Sequence, residues 1–196
     1  MNEALHEARI LNENVVLAHK FLAEPEAAAL AFFPAAYYLQ ETQISKLQPG
    51  KVVIVCDCGG GTVDTAVYEI CTVHPFRVKE VLPGQCILAG GCLLDDAFMQ
   101  LLKDKVEMMT SHRAFQALKN SDFHRIVYNH WDLDMKVYFS DNYPTKHIDL
   151  PNKWAASRQK RMPVGQGDDI TFTHGDIASI FNPIVGKITS LIEMEM

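Results

Sequence analysis

The sequence has few features that would indicate a membrane protein or a metal cluster. Its apolar runs are shorter than the roughly 20 residues that span a bilayer, and residues 1–13 lack the apolar segment of a signal peptide. The five cysteines include no Cys-x-x-Cys pair. We therefore expect a cytoplasmic protein with buried, reduced thiols and no contact with a membrane.

Positive charge is also scarce. Lys and Arg number 18 against 24 Asp and Glu, which gives a formal net charge of -6. A domain held on nucleic acid by phosphate contacts needs clustered positive charge, and the one basic run, residues 153–161, is typical of a solvated loop. We therefore expect no nucleic-acid partner.

What the chain does contain is a set of helix and strand patterns that predicts an α/β fold. Hydrophobic residues make up 48% of its 196 residues, enough for one moderate domain or two small ones. The predicted strands are residues 15–21, 51–56, 63–71 and 76–82, with one or two more in 137–150. The predicted helices are residues 3–11, 24–39, 92–109 and 121–136, and one after Thr173.

Several details of these elements can be tested. Within the strand predicted at residues 51–56, residues 52–56 are a continuous apolar run, which is typical of a strand buried on both faces. Residues 84–91 and 152–169 are predicted to be loops. Asp176 follows Thr173 at capping-box spacing, and Pro183 should kink the last helix or start a new one.

The segment with the clearest chemistry is residues 57–64, Asp-Cys-Gly-Gly-Gly-Thr-Val-Asp. Glycines are favoured where φ is positive or where the backbone approaches a ligand closely. A tight turn can aim successive N–H groups at a phosphate, Thr62 adds a hydroxyl donor, and Asp57 could hold Mg²⁺ through water. A plain glycine-rich hairpin, with Asp57 and Asp64 as turn formers, explains the same pattern.

Two further motifs flank this hairpin. Glu24 and Pro25 begin an alanine-rich helix upstream, and Ala89-Gly90-Gly91 leads into a helix with Asp95 and Asp96 downstream. The order and spacing of the three segments resemble the ATPase domain of 70-kDa heat-shock proteins, closest to the heat shock 70 kDa protein 12 subgroup. The resemblance is strong over residues 15–109 and weaker from there to 196.

The resemblance implies an actin-like ATPase (ribonuclease H-like) fold, with a mixed sheet and flanking helices, that is incomplete. It implies ATP or ADP with Mg²⁺ as ligands and a role related to chaperones and the stress response. The resemblance implies that Glu24 and Asp57 are catalytic and that Asp57 also helps to hold the metal ion. The implied nucleotide contacts are Gly59, which shapes the turn, Gly60, Gly61 and Thr62 at the phosphates, Gly91 near the sugar, and Asp132 and Lys136 at the adenine.

The resemblance further implies that residues 1–45 are the end of a first lobe with its connecting helix. Residues 46–196 would then be a second lobe, truncated before the adenosine motif. Neither the first phosphate hairpin nor that motif is recognisable here, so weak binding and little turnover are expected. A non-catalytic interaction module and a sugar-kinase-like phosphotransferase remain alternatives, and protein partners stay open.

Overall fold

The computed structural model describes residues 5, 7–10, 23–38, 47–110, 112–149 and 169–196. Within them the chain is mixed α/β, with a small antiparallel sheet and flanking helices. The predicted strand at 15–21 and most of the predicted loop at 152–169 lie outside the described residues.

Along the described chain one helix precedes three consecutive strands, and a run of helices, two strands and a last helix follow. The strands are β1 (Val52–Cys58), β2 (Val63–Val73), β3 (Phe76–Ile87), β4 (Lys146–Asp149) and β5 (Asp169–Phe172). The helices are α1 (Glu24–Tyr38), α2 (Gly91–Met109), α3 (His112–Gln116), α4 (Asn120–Ile126), a π-helix (Val127–Met135), α5 (Lys136–Tyr138) and α6 (His174–Met194).

The helical stretch predicted over residues 121–136 is confirmed, and it consists of three consecutive pieces, α4, the π-helix and α5. The prediction of a loop over residues 84–91 is wrong for its first half, because β3 continues through Pro83 and Gly84 to Ile87. Proline is tolerated in β3 because this is an outer strand of the described sheet, where the missing N–H can face away from the ladder.

The chain forms two compact units, one of residues 1–57 with 66–84 and the other of residues 58–65 with 85–196. The core of the first unit is small. Ala29 of α1 is buried there with Ala66 and Tyr68 of β2, and Val53 and Val55 of β1 pack against them. The small side chain of Ala29 suits this close approach of helix and sheet.

The strand order β1-β2-β3 leaves β1 at an edge of the described sheet. The expectation that β1 is buried on both faces is therefore wrong: its interior residues are half-buried and Val52 is 58% exposed. The central strand β2 holds the buried positions instead, including Val67 and Ile70. Burial depends on neighbouring strands, which an apolar run does not specify.

The second unit has a larger core, built from helices and the β4–β5 ladder. Phe98 of α2 stacks on Trp131 of the π-helix with ring centroids 4.5 Å apart. Fully buried side chains include Phe98, Leu102, Trp131, Met135, Ile148, Ile170, Phe172 and Ile177. This core holds α2 in a fixed position relative to the π-helix. The first residues of α2 belong to the candidate site described below.

Helix α6 begins with the predicted capping box. The Thr173 hydroxyl accepts a bond from the Asp176 N–H, and the Asp176 carboxylate accepts one from the Thr173 N–H. No new helix starts at Pro183, since α6 is continuous to Met194. Pro183 lies on the exposed side.

By length and composition α6 is suited to crossing a membrane, which the apolar runs of the sequence did not suggest. Core helices of soluble proteins pass the same test. Here Ile177, Ile180 and Leu191 of α6 are buried within the second unit.

The prediction of buried thiols is also wrong. Cys58, Cys71, Cys86 and Cys92 are exposed and Cys56 is half-buried. Cys56, Cys58, Cys71 and Cys86 lie in β-strands, where successive side chains point to opposite faces of the sheet and can therefore face solvent.

Candidate functional site

The glycine-rich segment forms a four-residue turn between β1 and β2, which we call the glycine turn (Gly59–Thr62). The N–H of Gly59 donates to the carbonyl of Thr62 over 2.9 Å and closes the turn. The three glycines are exposed. Gly50 is the glycine with positive φ in the described chain, so a left-handed backbone is not the reason for these glycines.

The start of α2 binds the glycine turn through its backbone. The N–H groups of Gly90, Gly91 and Cys92 donate to the carbonyls of Gly61, Gly59 and Gly60 over 3.2, 3.1 and 2.8 Å. The first N–H groups of a helix have no partner within the helix, and Gly90 provides no side-chain cap. The turn carbonyls act as that cap.

This contact requires glycine at position 90. A Cβ there would lie 2.4 Å from the carbonyl carbon of Gly61 and 2.5 Å from that of Gly60. A Cβ at Gly60 or Gly61 would meet no atom within 4 Å. The glycine turn is therefore in close backbone contact with α2 at one side and open at the other.

The carbonyl bonds determine where the turn's N–H groups point. In a trans peptide the carbonyl of one residue and the N–H of the next point in opposite directions. The cis bond of the described chain is His74–Pro75, so the glycine peptides are trans. With three successive carbonyls directed at α2, the N–H groups of Gly60, Gly61 and Thr62 point to the open side. Among the described residues, no backbone carbonyl accepts from them.

The hydroxyl of Thr62 is engaged differently from what the sequence suggests. It donates to Oδ2 of Asp64 over 2.8 Å, so Thr62 offers the open side its N–H rather than its hydroxyl. Cys86 shares this cluster: its hydrogen bond to the Asp64 carboxylate raises the pKa of the thiol. Burial adds a smaller rise, and the hydrogen bond with Thr62 works in the opposite direction.

A cation lies next to the start of α2. Nζ of Lys136 is 3.6 Å from where a Cβ of Gly91 would stand, so two residues predicted to contact a nucleotide are neighbours. Nζ also donates to Oδ1 of Asp95 over 2.6 Å, and Trp131 Nε1 donates to the same oxygen over 2.8 Å. The sequence analysis assigned Asp95 no contact in the site. The available signal was that an acidic residue follows the Gly90-Gly91 pair at the start of the helix.

The remaining predicted residues are distributed between the two units. Asp132 is half-buried in the π-helix of the second unit. Glu24, the first residue of α1, and Asp57, the penultimate residue of β1, belong to the first unit. No group of three or more His, Cys, Asp or Glu within the described parts of the chain is arranged to hold a metal.

A cavity of about 600 Å³ in the second unit contains none of the predicted site residues. It is lined by Ile87 and Leu88 after β3 and by Leu191 and Met194 of α6, among others.

No protein-family model matches the chain, and no curated protein matches it by sequence.

Proposed function

We propose that the chain binds the phosphates of a nucleotide, ATP or ADP with Mg²⁺, at the open side of the glycine turn. The observation that supports this is the use of three successive carbonyls by α2, which leaves the N–H groups of Gly60, Gly61 and Thr62 on one exposed side. Backbone N–H groups aimed at one place bind anions without a side-chain charge.

The hydrogen bonds that α2 donates to the glycine turn should also strengthen the binding of an anion. Each turn peptide accepts a bond from a helix N–H and would donate one to a phosphate, and such chains of hydrogen bonds strengthen one another. The positive end of the α2 dipole lies at the same turn. Lys136, next to Gly91, adds a positive charge that Asp95 partly balances.

The individual residues are assigned to the nucleotide on different grounds, some from their geometry and some from the resemblance. The open space at Gly60 and Gly61 accommodates a phosphate oxygen. Asp57 stands two residues before Gly59 in the chain and is the carboxylate we assign to Mg²⁺, which keeps most of its ligands as water and phosphate oxygens. Glu24 is assigned to position water and Asp132 to contact the base, both by resemblance.

We assign the site to an actin-like ATPase of the 70-kDa heat-shock type. The residues that support the assignment are the glycine turn and the Gly90-Gly91 pair, which are joined by hydrogen bonds as parts of one surface. With the Thr62 hydroxyl bound to Asp64 and the Lys136 charge shared with Asp95, we expect binding of nucleotide with slow or no hydrolysis.

The test is calorimetric titration of the full chain with Mg-ATP and Mg-ADP, with phosphate release measured in parallel. Gly61→Ala adds a methyl group that touches nothing in the protein but stands in the phosphate position. We expect this variant to bind about tenfold more weakly or worse. The matched control is Gly186→Ala, also in open space but on α6.

Equal affinity of the parent chain and Gly61→Ala would show that the nucleotide does not bind at the glycine turn. No heat of binding with either nucleotide would contradict the proposed function itself. Rapid multiple turnovers would contradict the expected inactivity while leaving the binding site in place.

A further inference from the structure

The cavity of about 600 Å³ in the second unit, which we call the α6 cavity, has no role in the proposed nucleotide site. Its volume is within the range of small-molecule sites. One wall is formed by the end of β3 with Leu88, and the other by α6 between Gly186 and Met194. Both walls belong to the same compact unit of the chain.

Apolar side chains line both walls of the α6 cavity. Ile87 and Leu88 lie on one wall, and Leu191 and Met194 lie on the other. Two of them are largely uncovered, since Leu88 is 74% exposed and Met194 is 71% exposed. Large apolar side chains that meet at a concave surface indicate a site for an apolar group, because its binding removes their area from water. The cavity is therefore suited to a hydrocarbon chain.

Polar side chains also line the α6 cavity, namely those of Gln85, Lys187 and Ser190. Within the described parts of the chain, none of these three side chains has a hydrogen bond or an ion pair. An ammonium, a hydroxyl and a carboxamide can each donate to an anionic oxygen. Their charge is the single positive charge of Lys187, which matches a singly charged anion better than a doubly charged phosphate group.

The polar and apolar side chains of α6 follow one another along the cavity. Lys187, Ser190, Leu191 and Met194 have the spacing of residues on one face of a helix. Lys187 and Met194 are about 10 Å apart along the helix axis, with the polar residues at one end and the apolar residues at the other. A Cβ at Gly186 would meet no atom within 4 Å, so the space beside Lys187 is free.

We propose that the α6 cavity binds a long-chain monocarboxylate, with its carboxylate at Lys187 and Ser190 and its hydrocarbon chain directed towards Met194. The positive charge selects the head group, and the apolar walls select the chain. Binding would cover Leu88 and Met194. The cavity shares no residue with the proposed nucleotide site, so this proposal does not depend on the proposed function.

The experiment is calorimetric titration of the full chain with octanoate, decanoate and dodecanoate, each below its micelle concentration. Each added methylene group should tighten binding about fourfold while the chain still fits the cavity. Decanol should bind more weakly than decanoate, and decyltrimethylammonium should bind most weakly, because Lys187 repels it. An affinity that does not depend on chain length, or on the charge of the head group, would overturn the proposal.

The head-group contact is tested by Lys187→Met, which keeps an apolar stem and removes the charge. Decanoate should bind this variant about fivefold more weakly, since Lys187 is exposed, whereas decanol should bind it as it binds the parent. Lys119→Met, at another exposed lysine of the same unit, is the matched control and should bind decanoate normally. Equal affinities of the parent and Lys187→Met for decanoate would contradict the assigned orientation.

The location is tested by Gly186→Leu, whose side chain would fill the cavity. Leucine is more favourable than glycine in a helix interior, so this variant should fold. We expect it to bind decanoate about tenfold more weakly or worse and to bind Mg-ATP like the parent chain. Undiminished decanoate binding by folded Gly186→Leu would overturn the proposal. Binding to phosphatidylcholine vesicles without binding of free decanoate would also overturn it, because this surface would then contact a membrane.

Discussion

Trp131 and Lys136 donate hydrogen bonds to the same atom, Oδ1 of Asp95, over 2.8 and 2.6 Å. In an α-helix, side chains five residues apart point about 140° away from each other. The π-helix (Val127–Met135) brings residues i and i+5 to a similar direction. This irregularity is what places the ammonium group of Lys136 beside Gly91.

Removing the shared acceptor should destabilise the second unit. Trp131 is fully buried, so Asp95→Ala leaves its indole N–H without a partner, and we expect the free energy of unfolding to fall by about 1–3 kcal/mol. Asp95→Asn keeps an acceptor and should cost about 1 kcal/mol or less, because the ion pair with Lys136 is partly exposed. Urea unfolding measures both. Asp96→Ala, an exposed neighbour, should have little effect, and an equal loss in Asp96→Ala would refute the assignment.

Gly90 should tolerate no side chain. A Cβ at this position overlaps the backbone of Gly60 and Gly61, so Gly90→Ala must separate α2 from the glycine turn. We expect a loss of about 1–3 kcal/mol in unfolding free energy together with weaker binding of Mg-ATP. Gly186→Ala, in the interior of α6 with open space around it, should instead be neutral or stabilising by up to about 1 kcal/mol. Thermal unfolding measures both variants. Equal changes in unfolding temperature for Gly90→Ala and Gly186→Ala would contradict this prediction.

The capping box of α6 should make stability depend on pH. Burial tends to raise the pKa of Asp176, but hydrogen bonds from Thr173 and the charge of Lys105 lower it overall. The folded pKa therefore lies below the unfolded value of about 3.9. The contribution of the Asp176 charge is present above the unfolded pKa and is lost as pH falls through the folded pKa.

Asp176→Asn should accordingly lower the unfolding free energy by about 1 kcal/mol at neutral pH. The difference from the parent chain should shrink as the pH is lowered below about 4. Unfolding curves between about pH 7 and about pH 2.5 would measure this. Glu193→Gln, exposed on the same helix, is the control, and a constant difference at all pH values would speak against the cap.

Cys86 should react slowly for an exposed thiol. Its hydrogen bond to the Asp64 carboxylate raises the pKa of the thiol, and the thiolate is the reactive form. Asp64→Asn should therefore speed alkylation of Cys86 by iodoacetamide, as followed by mass spectrometry. The rate at Cys71, which is also exposed, should not change. Slower or unaltered labelling of Cys86 in this variant would contradict the hydrogen bond.

The features of the site that could be predicted from sequence are local ones. The glycine turn and the Gly90-Gly91 pair are short motifs whose backbone requirements are visible in the residue types themselves. Their hydrogen bonding follows from a strand and a helix that were both predicted at nearly the observed positions. The capping box at Thr173 was predictable for the same reason.

Other features depend on residues distant in sequence. Asp95 and Lys136 are 41 positions apart, and no helix pattern shows that a π-helix will align Lys136 with Trp131. The edge position of β1 depends on which strands lie beside it, and an apolar run reads the same at an edge as in the centre of a sheet. The sequence predicts the Thr62 hydroxyl at a phosphate, and the residue types alone do not show that Asp64 accepts its hydrogen bond.

The β3 side of the three-stranded sheet carries several features that hinder the addition of a further strand. Arg77 and Lys79 are charged, Pro83 has no N–H, and the Glu80 carboxylate accepts the N–H of Gly84. Lysine and proline are residues with which soluble proteins protect a sheet from edge-to-edge aggregation. Replacing them with apolar residues would therefore make the protein more prone to aggregate without changing its core.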